Sequence, residues 1–309
     1  MQSVYQLKLF GYNDDFKDLI NIYNNNKMPN KLLLSGSKGI GKSTFAYHLI
    51  NYILSKNEDY NYDNKLYIID DKNRSFKLLS SNTHPNFYLI DKNIDKKFIE
   101  ISQIREMNSF VNKSSLNNKD KIVLIDGVEN LSISASNSLL KVLEEPNTNV
   151  QFILIYDTSK NLLDTIKSRC IEFKMNLKIK YFIDIINSLY DNNYYDAIHS
   201  DLKIFKISPY YLVSIINLCI ENKISINNCN IEFLLKFIID NKLYKKKINI
   251  DLLKVIIELF FYKKVLTLKN GSIFKIIDIY KKKFSDIIKF NLDLEPFFIE
   301  LKSEFLNEK

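Results

Sequence analysis

The sequence predicts an α/β fold built on a parallel five-stranded sheet, followed by an all-helical second half. Five short apolar segments alternate with helical patterns between residues 31 and 173, which is typical of a parallel sheet with crossover helices. From about residue 177 onward, apolar residues recur at helical spacing. A length of 309 residues is enough for about two domains, or for three small ones.

The first predicted strand, Lys31–Ser35, leads into a glycine-rich loop with the spacing G-x-x-x-x-G-K-S/T. The loop consists of Gly36, Ser37, Lys38, Gly39, Ile40, Gly41, Lys42, Ser43 and Thr44. Gly39 and Gly41 can adopt positive φ, so that backbone N–H groups converge on an anion. The motif predicts a phosphate-binding loop in which Lys42 contacts the β- and γ-phosphates of ATP and Ser43 binds Mg²⁺. A chance match is the alternative, which the strand before the loop and the helix after it disfavour.

A second motif is the predicted core strand Lys121–Asp126, four apolar residues between a lysine and an aspartate. The carboxyl end of a parallel strand is where such sheets bind ligands, so Asp126 is a candidate for holding Mg²⁺ through water. The alternative is an aspartate that merely begins the next turn. The loop upstream favours the metal-binding interpretation.

The remaining elements follow from apolar spacing and end signals. We expect strands over residues 31–35, 87–90, 121–126, 151–156 and 171–173, and helices over 14–25, 43–55, 102–112, 134–144, 161–167, 178–190, 208–222, 231–240, 251–262, 272–290 and 296–305. Ser102 is the expected cap of the helix it begins. Residues 57–83 are polar and poorly periodic, which predicts an insertion or a long loop.

Charged residues give weaker indications. The net charge of +8 fits nucleic-acid binding and a solvated lysine surface about equally well. Three of the 44 basic residues are arginines, Arg74, Arg105 and Arg169, and they are candidates for contacts that need a planar guanidinium. Arg105 and Lys113 are possible DNA contacts, with surface solvation as the alternative.

The predicted helix over residues 134–144 ends in Glu144, Glu145 and Pro146. Acidic residues at a helix C-terminus oppose the helix dipole, which suggests a partner cation and a possible interface with another chain. Three scattered cysteines argue against a disulfide framework and against a zinc site. So few cysteines fit a reduced cytoplasmic setting. The sequence has no apolar window long enough for a membrane span, and no membrane contact is expected.

These motifs together resemble a known family. The run KIVLIDGVENLSISASNSLLKVLEEP at 121–146, followed by FILIYDTSKNLLDTIKSRC at 152–170, resembles bacterial clamp-loader subunits of the AAA+ class. The segment LFGYNDDF at 9–16, the pair His84-Pro85 and the segment ISQIR at 101–105 are similar to the delta-prime family of DNA polymerase III. The resemblance covers roughly residues 9–173.

The resemblance implies three domains: an AAA+ nucleotide-binding domain over 1–176, a small helical lid over 177–224 and a helical collar over 225–309. It further implies a hetero-pentamer with delta and gamma/tau subunits, which loads a sliding clamp on primed DNA at the expense of ATP. The arginine of the SRC motif, here Arg169, then acts as an arginine finger on the nucleotide of the neighbouring subunit.

Two features depart from the hydrolysing subunits of the family. Those subunits carry a glutamate directly after the strand aspartate, where this sequence has Gly127, and Glu129 lies two positions further on. Residues 57–83 contain no cysteine and so lack the family's four-cysteine zinc module. We therefore expect a stator that hydrolyses ATP poorly by itself. The alternative is a catalytically active AAA+ ATPase, either a gamma/tau-like motor subunit or another replication loader.

Overall fold

The computed structural model describes residues 3–93, 96–113, 120–145, 150–190, 193–203, 207–245, 248–268 and 272–306. The chain folds into two compact units, Met1–Ile185 and Ile186–Lys309. The predicted boundary between lid and collar near residue 224 stays a prediction. Pro146 lies outside the described residues.

The first unit contains one parallel five-stranded sheet. Its strands are β1 Lys31–Gly36, β2 Phe87–Ile90, β3 Lys121–Asp126, β4 Val150–Asp157 and β5 Ile171–Lys174. The spatial order is β2-β3-β4-β1-β5, and every paired strand runs parallel to its neighbour. The carboxyl ends of β1, β3 and β4 therefore meet at one edge, where Gly36 pairs with Asp157 and Asp126 pairs with Ile155.

Helices precede, separate and follow the strands. They are α1 Asn13–Asn24, α2 Lys42–Ser55, α3 Arg74–Ser80, α4 Ile101–Asn112, α5 Ile133–Glu144, α6 Asp164–Lys167, α7 Ile179–Leu189, α8 Tyr194–Ala197, α9 Pro209–Glu221, α10 Ile231–Asp240, α11 Ile250–Leu268, α12 Ser272–Phe290 and α13 Glu295–Phe305. After β5, the regular structure of the described chain is helical, in agreement with the predicted class.

Both faces of the sheet are buried, which explains why β1, β3 and β4 are almost continuously apolar. Alternate residues of each strand point to opposite faces. Leu32 and Leu34 pack with Phe16 and Phe45 on one face, whereas Leu33 packs on the other face. The second face is covered by residues of α4 and α5 that are themselves fully buried.

The second unit has its own apolar core. Fully buried leucine, isoleucine and phenylalanine side chains lie along α9, α10 and α11, among them Leu212, Leu234 and Phe260. The thiols of Cys219 and Cys229 are both buried, with their sulfur atoms 3.4 Å apart.

Two local expectations were wrong. The polar stretch 57–83 contains the helix α3, which begins where the Asn73 side chain accepts a hydrogen bond from the backbone N–H of Phe76 at 2.6 Å. Ser102 is not the cap of α4, because the helix begins at Ile101 after Glu100. The backbone N–H of Glu100 donates to the side chain of Gln103 at 3.1 Å, so the capping residue lies two positions upstream of the predicted one.

Candidate nucleotide-binding site

The glycine-rich loop connects β1 to α2 and adopts the backbone that phosphate binding requires. Gly39 and Gly41 have φ of 79° and 99°, in the left-handed region that glycine adopts without strain. Gly41 immediately precedes α2, so the loop ends at the positive end of a 14-residue helix. At Gly36, a Cβ atom would lie 2.6 Å from the backbone oxygen of Met175, so that position excludes any side chain.

Lys42 is the first residue of α2, and its ammonium group is turned into the loop. Its Nζ donates to the backbone oxygens of Gly36 at 2.7 Å and of Ser37 at 2.6 Å. Burial lowers the pKa of Lys42, and the carboxylates of Asp157, Glu129 and Asp126 oppose that shift. The buried ammonium group of Lys42 is therefore attracted by three acidic side chains at this edge of the sheet. A bound triphosphate would compete with those carboxylates for it.

Ser43 and Asp126 meet as the sequence predicts for a metal-binding pair. The Ser43 hydroxyl donates to Oδ2 of Asp126 at 2.7 Å, although 83 residues separate the two in the chain. Burial raises the pKa of Asp126, and the hydrogen bond from Ser43 partly offsets that shift. A hydroxyl and a carboxylate oxygen are ligands that Mg²⁺ prefers, so the pair fits this ion.

The backbone at Gly127 disfavours any side chain at this position. Its φ is 81°, and a Cβ atom at this position would lie 2.5 Å from Nδ2 of Asn130. The chain then enters a single 3₁₀ turn, Val128–Asn130. Position 127 therefore lacks a carboxylate and also has a backbone that disfavours one.

Glu129 points back to the sheet. Its Oε2 accepts a hydrogen bond from the backbone N–H of Asp157 at 3.2 Å, and its Oε1 accepts one from Nδ2 of Asn130 at 3.3 Å. Nζ of Lys160 lies 4.0 Å from the same carboxylate. Burial raises the pKa of Glu129. The contacts join the turn after β3 to the end of β4.

Asp157 is a site residue that the sequence interpretation missed. It ends β4 opposite Gly36, and the next residue, Thr158, donates its backbone N–H to the oxygen of Gly36 at 3.2 Å, the same oxygen that Lys42 contacts. Oδ1 of Asp157 accepts a hydrogen bond from the N–H of Ser159. The sequence could have identified Asp157, because it ends a buried apolar strand just as Asp126 does.

Arg169 lies in the turn between α6 and β5, with about a third of its side chain exposed. Its Nη2 lies 2.5 Å from Oε1 of Glu144, and its Nη1 donates to the backbone oxygen of Thr165 at 2.8 Å. The partner cation expected for Glu144 is therefore Arg169 of the same chain. An interface role of Glu144 and Glu145, which are both exposed, stays a prediction.

Arg105 lies on α4 and Lys113 directly follows that helix, and both side chains are exposed. Their contact with DNA stays a prediction. Among the described residues, no group of three or more histidine, cysteine, aspartate or glutamate side chains could hold a metal ion. No helix in the described part of the chain is both long and apolar enough to cross a membrane.

Comparison with known proteins identifies the family. The family described as "DNA polymerase III, delta subunit" matches residues 12–178. DNA polymerase III subunit delta' of Pseudomonas aeruginosa is 31% identical over 140 residues, which is 45% of this chain and 41% of that protein. The subunit delta' of Buchnera aphidicola subsp. Schizaphis graminum is 29% identical over 197 residues, covering 63% of this chain and 57% of that protein. The matches therefore span about half the length of these relatives.

Among solved structures, a DNA polymerase III gamma subunit-related protein of Thermotoga maritima has the same fold. Its TM-score is 0.53 at 14% identity, over 93% of this chain and 97% of that one. The fold class predicted from the sequence, a parallel five-stranded α/β domain with a glycine-rich loop after its first strand, followed by helices, is confirmed. The family match covers more than half of the chain, and the chain belongs to the DNA polymerase III delta subunit family.

Proposed function

We propose that this protein is the delta-prime subunit of a clamp loader, a stator that lends Arg169 to the nucleotide site of a neighbouring subunit. The observation that carries the proposal is the backbone at Gly127, whose φ of 81° disfavours the acid that would orient an attacking water. The next acid along the chain, Glu129, is hydrogen-bonded to the end of β4. A subunit of this kind would contribute to ATP hydrolysis by placing its arginine in the nucleotide site of a neighbouring subunit.

Arg169 has the chemistry that such a role requires. A guanidinium keeps its charge at any physiological pH and binds two phosphate oxygens at once, and a lysine cannot copy that two-point contact. Two of its N–H groups contact Glu144 and Thr165, and the others have no hydrogen-bond partner among the described residues. They are the donors that would bind the γ-phosphate held by a neighbour.

The protein's own site would bind ATP with Mg²⁺, and the lone chain would turn it over negligibly. The backbone N–H groups of the loop and Lys42 would contact the phosphates, and Ser43 and Asp126 would hold the ion, Asp126 through water. When bound, Mg²⁺ neutralises charge on the phosphate oxygens. The site thus has the residues that nucleotide binding would require. Among the described residues, no acid occupies the position that orients water in hydrolysing subunits of the family.

The partners of this function are other clamp-loader subunits, delta and gamma/tau, in a hetero-pentamer, together with the sliding clamp and primed DNA. Arg105 and Lys113 are the proposed contacts with DNA phosphates. If both contribute, replacing Lys113 with glutamate will reduce the salt slope of primed-DNA binding by about one unit. The proposed setting is the cytoplasm.

Two measurements test the assignment. The tagged chain, expressed with the other subunits of the same organism, should co-purify with delta and gamma/tau in a fixed ratio. The lone chain should turn over ATP at a rate indistinguishable from that of its Lys42→Ala variant, because neither has a residue that orients water. Failure to co-purify would refute the assignment to a clamp loader.

A catalytically active AAA+ ATPase is the second candidate. It is favoured by the complete loop and by the contact between Ser43 and Asp126, which a passive subunit has no need to retain. If it is correct, the lone chain will hydrolyse ATP in the presence of primed DNA, and Lys42→Ala will abolish the turnover. Glu129→Gln would then show whether that acid takes over the role of the missing glutamate.

A further inference from the structure

The guanidinium of Arg169 is held between the C-terminal residue of one helix and a backbone oxygen of a single helical turn. Glu144 is the last residue of α5, and the backbone oxygen of Thr165 belongs to the short helix α6. Nη2 lies 2.5 Å from the Glu144 carboxylate and Nη1 lies 2.8 Å from the Thr165 oxygen. The C-terminal end of the 12-residue helix α5 carries partial negative charge, so a cation is favoured there.

The ion pair is poorly placed to stabilise the fold. About half of the Glu144 side chain and a third of the Arg169 side chain are exposed, and ion pairs of this exposure contribute little to the free energy of unfolding. Glu144 also opposes the dipole of its own helix. The contact therefore has another effect, which is to restrict the rotamers of a long side chain that would otherwise sample many positions.

We propose that Glu144 is a positioning residue, which holds the Arg169 guanidinium so that its remaining N–H groups face the triphosphate of the adjoining subunit. The inference rests on the proposed arginine-finger function. Glu144 and the phosphate need not compete, because a guanidinium has five N–H donors and the two contacts within the chain use two of them. Ordering the side chain before the subunits meet lowers the entropic cost of the contact in the transition state.

The neighbouring acid provides a matched control. Glu145 follows Glu144 in the chain, is equally acidic and exposed, and has no ion pair or hydrogen bond to Arg169. Replacing Glu145 changes the charge of the surface and of the helix end by the same amount as replacing Glu144. A difference between the two variants therefore reports the contact with Arg169.

The test uses the reconstituted loader with its clamp and primed DNA. The Arg169-dependent part of kcat is the difference between the wild-type complex and the Arg169→Ala complex. We expect Glu144→Ala to lower this part about five- to tenfold with KM for ATP unchanged, since the nucleotide is bound by another subunit. Glu144→Gln should recover part of the loss, because its amide oxygen still accepts a hydrogen bond. Glu145→Ala, which leaves the contact between Glu144 and Arg169 in place, should lower this part of kcat clearly less than Glu144→Ala does.

The outcomes separate this inference from the proposed function. If Arg169→Ala leaves kcat unchanged, the arginine-finger function is wrong. If Arg169→Ala lowers kcat and the complexes with Glu144→Ala and Glu145→Ala have equal kcat, the function stands and the positioning role is refuted. A higher kcat in Glu144→Ala would also refute it, because Glu144 would then be withholding the arginine. In the Arg169→Ala background, Glu144→Ala should have no further effect, and an added loss would show a merely structural role.

Discussion

Replacing Gly127 with alanine tests whether the backbone after β3 excludes a side chain. At a φ of 81° an L-residue is strained by about 1–2 kcal/mol. The new Cβ would also lie 2.5 Å from Nδ2 of Asn130, so that side chain must rotate. Rotation gives up its hydrogen bonds to Glu129 and Lys160, each worth about 0.5–1.5 kcal/mol. We therefore expect Gly127→Ala to lower the free energy of unfolding by about 2–5 kcal/mol.

The assay is urea unfolding followed by circular dichroism, with Asn130→Ala and the double variant as controls. In the Asn130→Ala background the steric contact is gone, and Gly127→Ala should then cost only the backbone strain, about 1–2 kcal/mol. Gly127→Glu should lose at least as much stability as Gly127→Ala and gain no ATP turnover. The reasoning is refuted if Gly127→Ala unfolds within about 0.5 kcal/mol of the wild type.

Two further predictions concern the loop and a buried histidine. Lys42→Ala should weaken binding of a fluorescent ATP analogue at least about tenfold in a titration. Lys38→Ala, in an exposed part of the same loop, should weaken the binding less. Equal losses of affinity would refute the role of Lys42. Burial lowers the pKa of His48 to about 4 from an ordinary value of 6.5. As the pH falls, the imidazole is therefore protonated in the unfolded chain before it is protonated in the folded one. The free energy of unfolding then decreases as the pH drops from 6.5 towards 4. Between pH 7 and pH 5 the wild type should lose about 2 kcal/mol more than His48→Gln in urea unfolding, and parallel losses would contradict the buried neutral form.

The sheet and the nucleotide loop were predictable because their signals are local. A strand buried on both faces must be apolar throughout, and a loop that closes on an anion must place glycine at fixed positions. The pairing of Ser43 with Asp126 also followed from the sequence. The carboxyl ends of parallel strands meet at one edge whatever the number of residues between them.

The features that sequence interpretation missed depend on contacts between distant segments or on backbone conformation. The helix α3 lies in a polar stretch with little periodicity, and it is begun by a side-chain cap from Asn73. The partner of Glu144 is 25 residues away in the chain, and no local pattern identifies it. The sequence shows that position 127 is glycine, whereas its positive φ depends on the turn that follows β3.

The most direct test of the account is the ATPase of the complete loader carrying Arg169→Ala. We predict that the five subunits still assemble, that ATP turnover falls, and that Arg169→Lys is nearly as defective, because lysine lacks the two-pronged contact with phosphate. At the nucleotide site served by this arginine, the loss should be about 10³-fold or more, as for arginine fingers of other nucleotide hydrolases. A fully assembled complex that hydrolyses ATP at the wild-type rate without Arg169 would contradict the account.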